Sequence, residues 1–267
     1  LMVIFFSEKL GKIRAIAKGA LRSQKRFPGV LLNLNQLEVE LIQSRRIEAG
    51  YLLNLAGLIK SRFSLSRNPD RLASAYALSE LIEKASPELA PDPVLFEILE
   101  IGLDQIQKEK NYQEVFFFFL LKILGQLGYM PSLDFCSNCG KKVSARSNHY
   151  LFSISKGGFV CEACQASVRS LGAEPRGPLP AEPKKSEFGG PAREGQPEKS
   201  LREIPAGFGR ALRAIQRLNQ AQALRVRLSA RDFCLGIELF NDFIAWQMGN
   251  PLLSLIFLKE FCQKVVL

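Results

Sequence analysis

Apolar and polar positions alternate along the first sixty residues. Leu37, Val39 and Leu41 alternate with Glu38 and Glu40, the period-two pattern of a half-buried strand. Residues Lys12 to Lys18 fit a second strand, with Ile13, Ala15 and Ala17 on one face and Gly11 and Gly19 at its ends. Leu1 to Phe6 reads as strand from its first residue, and Ile47 to Asn54 is a weaker candidate. Several short strands in so little chain predict a small sheet or barrel. From residue 68 the period becomes helical. Asn68-Pro69-Asp70 opens one helix, with Leu72, Tyr76, Leu81 and Ile82 along roughly one face up to Lys84. Asp92-Pro93 opens a second, with Asp at the N-cap and Pro at the first helical position, followed by Val94, Leu95, Ile98, Leu99 and Ile106. Phe116 to Leu127 is apolar nearly all round, which predicts a central helix.

Residues 172–200 break this pattern with six prolines and five glycines and almost no large apolar side chain. Such a stretch buries too little surface to offset its chain entropy and reads as a disordered insert. Helical pattern returns near Pro205. The expected class is therefore α+β and multidomain. Its parts are a β-rich unit at 1–63, a helical domain begun at 64–135 and a ribbon at 136–171. An insert at 172–203 and the second part of the helical domain at 204–267 follow. No solenoid repeat is present.

Composition narrows the function. In 267 residues, 47% hydrophobic and 23% charged side chains describe a globular chain with room for a sizeable core. The 36 basic residues against 26 acidic ones give a net charge of +10, which favours an anionic partner such as nucleic acid or an acidic membrane surface. The charge is uneven. Residues 1–66 hold 11 basic and 4 acidic residues, and residues 67–135 hold 6 and 11. The longest apolar run, Val115 to Leu121, ends at Lys122, far short of the roughly 20 residues of a membrane span. The apolar start is too short for a signal peptide and lacks a basic n-region, so the cytoplasm is the expected compartment. A first residue of Leu, already in strand pattern, suggests a fragment without its true start.

The sharpest motif is a pair of CxxC knuckles, Cys136-Ser-Asn-Cys139-Gly140 and Cys161-Glu-Ala-Cys164. Two thiolates three residues apart wrap one face of a metal, and a second pair closes the tetrahedron. Four thiolates leave no open position for water, so the set predicts one structural Zn2+ rather than a catalytic one. The competing readings are two disulfides or four unrelated buried cysteines, and a reducing compartment disfavours the first. Tyr150 to Phe152 and Gly158 to Val160 would form the ribbon's hairpin. The single histidine, His149, is expected at the surface, and Cys234 and Cys262 are expected to be buried in helices without a partner.

Lys9, Lys12, Arg14, Lys18, Arg22, Lys25 and Arg26 crowd eighteen residues, with Glu8 the only nearby acid. Such a loop suits a phosphate backbone, with counterion release driving affinity, and a solvated basic loop is the plainer alternative. Phe27 within it is more simply buried than stacked on a base. Arg210, Arg213 and Arg217 recur on one helix face, opposite Leu212, Ile215 and Leu218. That pattern fits a second phosphate-contacting surface and an ordinary amphipathic helix equally well. No P-loop, GxGxxG, GxSxG or HExxH is present, and no carboxylate pair stands out, so an enzyme is disfavoured.

The order of basic head, apolar helices, CxxC ribbon and further helices resembles one family, as do several strings. These are Leu10-Gly-Lys-Ile-Arg-Ala-Ile-Ala-Lys-Gly-Ala20, Leu124-Gly-Gln-Leu-Gly-Tyr-Met-Pro131, Gly157-Gly-Phe-Val-Cys-Glu-Ala-Cys164 and Gly249-Asn-Pro-Leu-Leu-Ser254. The chain is similar to the RecO family of bacterial DNA recombination and repair proteins, outside the insert. The resemblance implies an N-terminal OB-fold barrel, here without its first strand, and a helical domain carrying the zinc ribbon. It also implies binding of single- and double-stranded DNA and annealing of complementary strands. Work with RecR, and with RecF, would load RecA onto DNA coated with single-stranded-DNA-binding protein (SSB). The helical domain would dock the SSB C-terminal tail, with arginine and leucine positions in 210–231 as candidates, and the basic loop Lys18 to Arg26 would touch DNA. A protein-interaction scaffold built on the ribbon, and a nuclease with an unseen site, are the readings from other classes.

Overall fold

The computed structural model describes residues 1–20, 22, 25–43, 50–145, 147–165, 201–223 and 225–265. The insert at 172–200, and residues 47–49 of the weaker strand candidate, lie outside the described residues. Strands β1 (Met2–Ser7) and β2 (Gly11–Ile16) form an antiparallel hairpin that sets Met2 opposite Ile16 and Ser7 opposite Gly11. Strands β3 (Gln36–Gln43) and β4 (Tyr51–Lys60) form a second antiparallel pair with two register shifts. A short parallel joint, Ala15 to Tyr51 and Ile16 to Leu52, unites them in the order β1-β2-β4-β3.

This order gives the expected β-rich N-terminal unit but no closed barrel. Among the described residues no ladder joins β1 to β3, so the sheet is open with those two strands as its edges. Closure would need a strand that hydrogen-bonds to both. Ile13, Ala15 and Ala17 are buried as their alternation predicts, and Phe27 lies inside with Val30, Leu53 and Ala56. That cluster is small, so the sheet relies on what it docks against.

The support is helical. Helix α1 (Pro69–Ala85) starts where the Asn68 side chain accepts the Arg71 N–H at 3.1 Å. Helix α2 (Pro93–Lys108) starts where Asp92 accepts the Leu95 N–H at 2.9 Å. Helix α3 (Tyr112–Gln126) is buried without a break from Glu114 to Leu121 and forms the axis of the core. Helices α4 (Ala206–Arg217), α5 (Gln220–Ala223), α6 (Ala230–Met248) and α7 (Leu253–Val265) surround it. A Ser229–Asp232 capping box opens α6 and left-handed Gly249, at φ +79°, closes it. Cys234 and Cys262, expected to be separate, are joined in a disulfide between α6 and α7, a pairing that only the packing of these two helices brings about.

A second sheet places β5 (His149–Ser153) between β6 (Gly158–Val160) and β7 (Leu201–Pro205). Residues 201–203, assigned to the insert by composition, are thus strand: Leu201 pairs with Ser153 and Glu203 with Leu151. The chain returns from the insert directly onto the ribbon. Tyr150, Phe152, Phe159 and Ile204 of this sheet share one continuous core with Phe117, Phe208 and Phe240 of the helices.

The two parts meet along the loop between α1 and α2, and along α2. Gly11 adopts φ +69° and lies so close to the Ala90 carbonyl that a Cβ there would collide with it. The Leu89 N–H donates to the Lys12 carbonyl at 3.0 Å, and the Phe6 ring lies against Phe96. Arg62, 4% exposed, is the strongest tie. Its guanidinium donates to Asp104 Oδ1 from Nε at 3.0 Å and Nη2 at 2.8 Å, and to the Leu34 carbonyl at 2.9 Å. Lys60 Nζ donates to Asp104 Oδ2 at 2.6 Å. Burial alone would raise the Asp104 carboxyl, but the Lys60 and Arg62 cations outweigh it and hold the pKa below the ordinary value.

Removing Arg62 strips Asp104 Oδ1 of its buried partner and leaves only the more exposed Lys60 to balance the carboxylate. Arg62→Ala is expected to lower stability by about 3 kcal/mol, read from urea denaturation at neutral pH. Because the folded pKa of Asp104 is depressed, its contribution is complete above the unfolded value of about 3.9 and fades as pH falls through the lower folded value. Asp104→Asn should therefore destabilise at neutral pH and flatten the acid limb of the stability profile.

Candidate metal centre and nucleic-acid surface

The two knuckles converge as their spacing predicts. The Sγ atoms of Cys136, Cys139, Cys161 and Cys164 all lie within 4.8 Å of one another, with Cys139 and Cys161 at 3.6 Å. A tetrahedron with zinc–sulfur bonds of about 2.3 Å has sulfur–sulfur edges of about 3.8 Å, so the set fits one zinc ion. The first knuckle turns on a Gly140 N–H donating to the Cys136 carbonyl at 2.8 Å, with Gly140 at φ +72°. N–H groups of Asn138 and Cys161 donate to Cys136 Sγ at 3.4 and 3.3 Å. The Asn138 side-chain amide donates to Cys164 Sγ at 3.3 Å.

These contacts divide the thiols. Burial works against the Cys136 thiolate, yet the N–H donors from Cys161, Cys139 and Asn138 outweigh it and bring the pKa down to about 7. The Asn138 amide favours the Cys164 thiolate, but burial and the facing Cys139 and Cys161 sulfurs push it up to about 12. Burial pushes Cys161 up as well. Four sulfurs this close share their negative charge fully only around a cation.

The ribbon is fixed to the body by Asp134, two residues before the first knuckle. Arg213 Nε donates to Asp134 Oδ1 at 2.9 Å, and Arg217 Nε donates to Oδ2 at 2.7 Å. Arg213 also donates to the Ser144 and Val143 carbonyls at 3.2 and 3.3 Å. Burial opposes ionisation of Asp134, but Arg217 and Arg213 hold its pKa below the ordinary value. Gly209 lets α4 lie directly on the Tyr150 ring, which stacks on Phe159 at 4.8 Å. Asp134, Asn138 and Tyr150 were not singled out as functional from sequence. Only the position of Asn138 inside the first CxxC could have marked it.

The cationic candidates separate into groups. Lys9, Lys18, Arg22 and Lys25 are exposed. Arg26 is half-buried, donating to the Lys18 carbonyl at 2.6 Å with its guanidinium over the Phe27 ring. Lys12 Nζ donates to the Glu83 carbonyl at 2.7 Å and Arg14 pairs with Glu88, so both face the helical part. Arg210 is exposed, whereas Arg213 is 6% exposed and satisfied internally, and Arg217 is tied to Asp134. The arginine face of α4 therefore does not act as one surface. Arg213 turns inward to reach ribbon carbonyls, and of the three only Arg210 is exposed with no acid paired to it among the described residues.

Comparison with known proteins agrees with this architecture. Residues 66–174 match the family model described as "Recombination protein O C terminal". Over those residues the chain is similar to the C-terminal part of RecO. The matched segment runs from the turn before α1 through both CxxC knuckles, so the four-cysteine set lies inside it. Over 168 residues the chain is 30% identical to the DNA repair protein RecO of Caldanaerobacter subterraneus, covering 61% of this chain and 64% of that protein. The RecO of Syntrophus aciditrophicus is 30% identical, with 61% and 62% covered, and that of Myxococcus xanthus 29% identical, with 65% and 69% covered. The chain thus spans a little under two thirds of the first two of these relatives. Among the described residues, no helix is long and apolar enough to cross a membrane.

Purified protein is expected to carry about one equivalent of zinc, released by a thiol-reactive mercurial and read with a colorimetric chelator. Cys136→Ser should lower that content and reduce the melting temperature of the whole helical part, because the ribbon shares its core.

Proposed function

We propose that the chain is a DNA-binding recombination mediator in DNA repair. It binds single- and double-stranded DNA, anneals complementary strands and, with RecR, helps to load RecA onto SSB-coated single strands. The observation that carries this reading is the cationic loop beside β2, in a chain whose helical part is RecO-like. Lys18, Arg22 and Lys25 project from the sheet with no carboxylate within ion-pair distance among the described residues, and Lys9 stands near them in sequence. Unpaired cations on one loop suit phosphates, whose condensed counterions are released on binding. Two strands held on such surfaces repel each other less, which is the physical basis of annealing.

The four-cysteine set holds a structural zinc in this proposal, and no bond-making chemistry is assigned to the chain. The helical part receives the SSB C-terminal tail, the sheet engages RecR, RecF acts in the same assembly, and the site of action is cytoplasmic, on nucleoid DNA. Arg210 remains a DNA contact in this scheme. Lys12, Arg14, Arg213 and Arg217 serve mainly to join parts of the protein.

Annealing of labelled complementary strands coated with SSB tests the proposal. The expected result is acceleration that depends on the SSB tail, and a DNA affinity that falls steeply with salt. Lys18→Glu combined with Arg22→Glu and Lys25→Glu should weaken DNA binding by tenfold or more at about 0.1 M salt while leaving the urea midpoint unchanged. Annealing indifferent to both the tail and these substitutions would overturn it.

A further inference from the structure

A second cationic site lies beside the metal centre. A cleft of about 250 Å³ is bounded by Lys141, Lys142, Ser147, His149 and Glu162, next to Cys161. Lys141 and Lys142 are exposed and, among the described residues, neither is paired with an acid. The acid of the cleft, Glu162, is held to its wall by the Ser147 hydroxyl, which donates to it at 3.3 Å. By contrast Lys156, the remaining lysine of the ribbon, is taken up by the Asn138 side chain. Arg210 lies one helical turn before Arg213, whose guanidinium holds the Val143 and Ser144 carbonyls of the cleft wall.

A zinc ion with four thiolates carries a formal charge of −2, and nearby lysines often balance such a centre. Here the sulfurs already receive N–H donors from Asn138 and Cys161, and among the described residues no lysine ammonium donates to them. The two lysines are left exposed at a cleft that Ser147 and His149 also line. Two exposed ammonium groups at the rim of a concave wall, with its one carboxylate already engaged by a hydroxyl, suit a phosphodiester.

We propose that this cleft binds the phosphate backbone of a nucleic-acid strand, separately from the loop beside β2. The two sites stand on different supports. The sheet docks on α2 and the loop before it, whereas the ribbon docks on α4 through Gly209 and on α6 through Gly157 and Phe243. One chain would therefore hold two strands at once. The inference rests on the proposed DNA binding and deepens it.

The experiment titrates the full chain with a fluorescent twelve-nucleotide single strand and reads stoichiometry, affinity and salt dependence. Wild type is expected to bind two strands. Lys141→Ala with Lys142→Ala should bind one at the same concentrations, and the slope of log affinity against log salt, summed over the strands bound by wild type, should fall by about 0.7 for each lysine. The Lys18, Arg22 and Lys25 reversal should remove the other strand instead. Zinc content, measured on the same samples, is expected to be unchanged by the Lys141 and Lys142 substitutions. Wild-type stoichiometry and slope in the double variant would overturn the inference, as would loss of zinc with DNA binding intact, which would make the lysines counter-charges of the metal. A wild-type chain that binds no DNA would overturn the proposed function itself. A wild-type chain that binds one strand, lost only in the loop variant, would leave that function standing and remove the ribbon site.

Discussion

Four thiols held within 4.8 Å of one another form an arrangement that protons alone stabilise poorly. One of them is drawn to about 7 by N–H donors while another is driven to about 12 by its neighbours. A divalent cation removes that conflict, since each thiolate then faces positive charge rather than another sulfur. The consequence reaches well beyond the ribbon. Cys136, Val143, Tyr150, Phe152 and Phe159 belong to the same core as α3, α4 and α6, so a metal held by the four cysteines would stabilise the interior of the helical part. Asp134 extends the effect. It anchors the first knuckle's approach to Arg213 and Arg217, and thereby couples the metal ligands to the orientation of α4.

The sheet obeys a different constraint. Half of its own small buried cluster is alanine: Ala15, Ala17 and Ala56. So little apolar area offsets little chain entropy. What fixes the sheet is contact with the helical part. Gly11 gives close backbone approach to Ala90, and Arg62 bridges the Leu34 carbonyl and the Asp104 carboxylate. A buried arginine is weak evidence of net stability, but it does define one docking geometry, because few orientations satisfy its donors. The cationic loop is consequently presented at a defined place relative to the helices.

Several of these features were legible from residue pattern alone. The CxxC pairs, the Asn68 and Asp92 caps and the alternation of Ile13, Ala15 and Ala17 are local signals, and local geometry obeys them. Other features depend on partners distant in sequence. Strand β7 is short, charged at Arg202 and Glu203, and abuts a Pro/Gly-rich stretch. Only its pairing with β5 makes it a strand. Helix α1 buries Ala73, Ala75 and Ala77 together with Leu78, Leu81 and Ile82, whereas Leu72 and Tyr76 are only half-buried. Small residues carry weak hydropathy, so the larger side chains drew the expected face toward themselves. The interior position of Arg213 has no sequence signal, since an arginine at i+3 from another arginine looks like surface until carbonyls appear opposite it. The Cys234–Cys262 pairing is hidden for the same reason, because it joins two helices across a turn.

The distribution of positive charge finally separates structure from interaction. A net charge of +10 says little while its members are undivided. Arg62, Arg213 and Arg217 are engaged by Asp104 and Asp134, and Arg14 by Glu88, so those charges act inside the protein. Among the described residues, two groups of exposed cations without a printed ion pair stand close together in sequence: Lys18, Arg22 and Lys25 on the sheet, and Lys141 and Lys142 on the ribbon. Cations left together without counter-ions raise the local potential, and they do so at some cost in mutual repulsion. Their persistence on two separately supported surfaces is most simply balanced by a polyanion that reaches both, or by two strands of one. Annealing requires the second of these, since the repulsion to be overcome lies between the strands themselves.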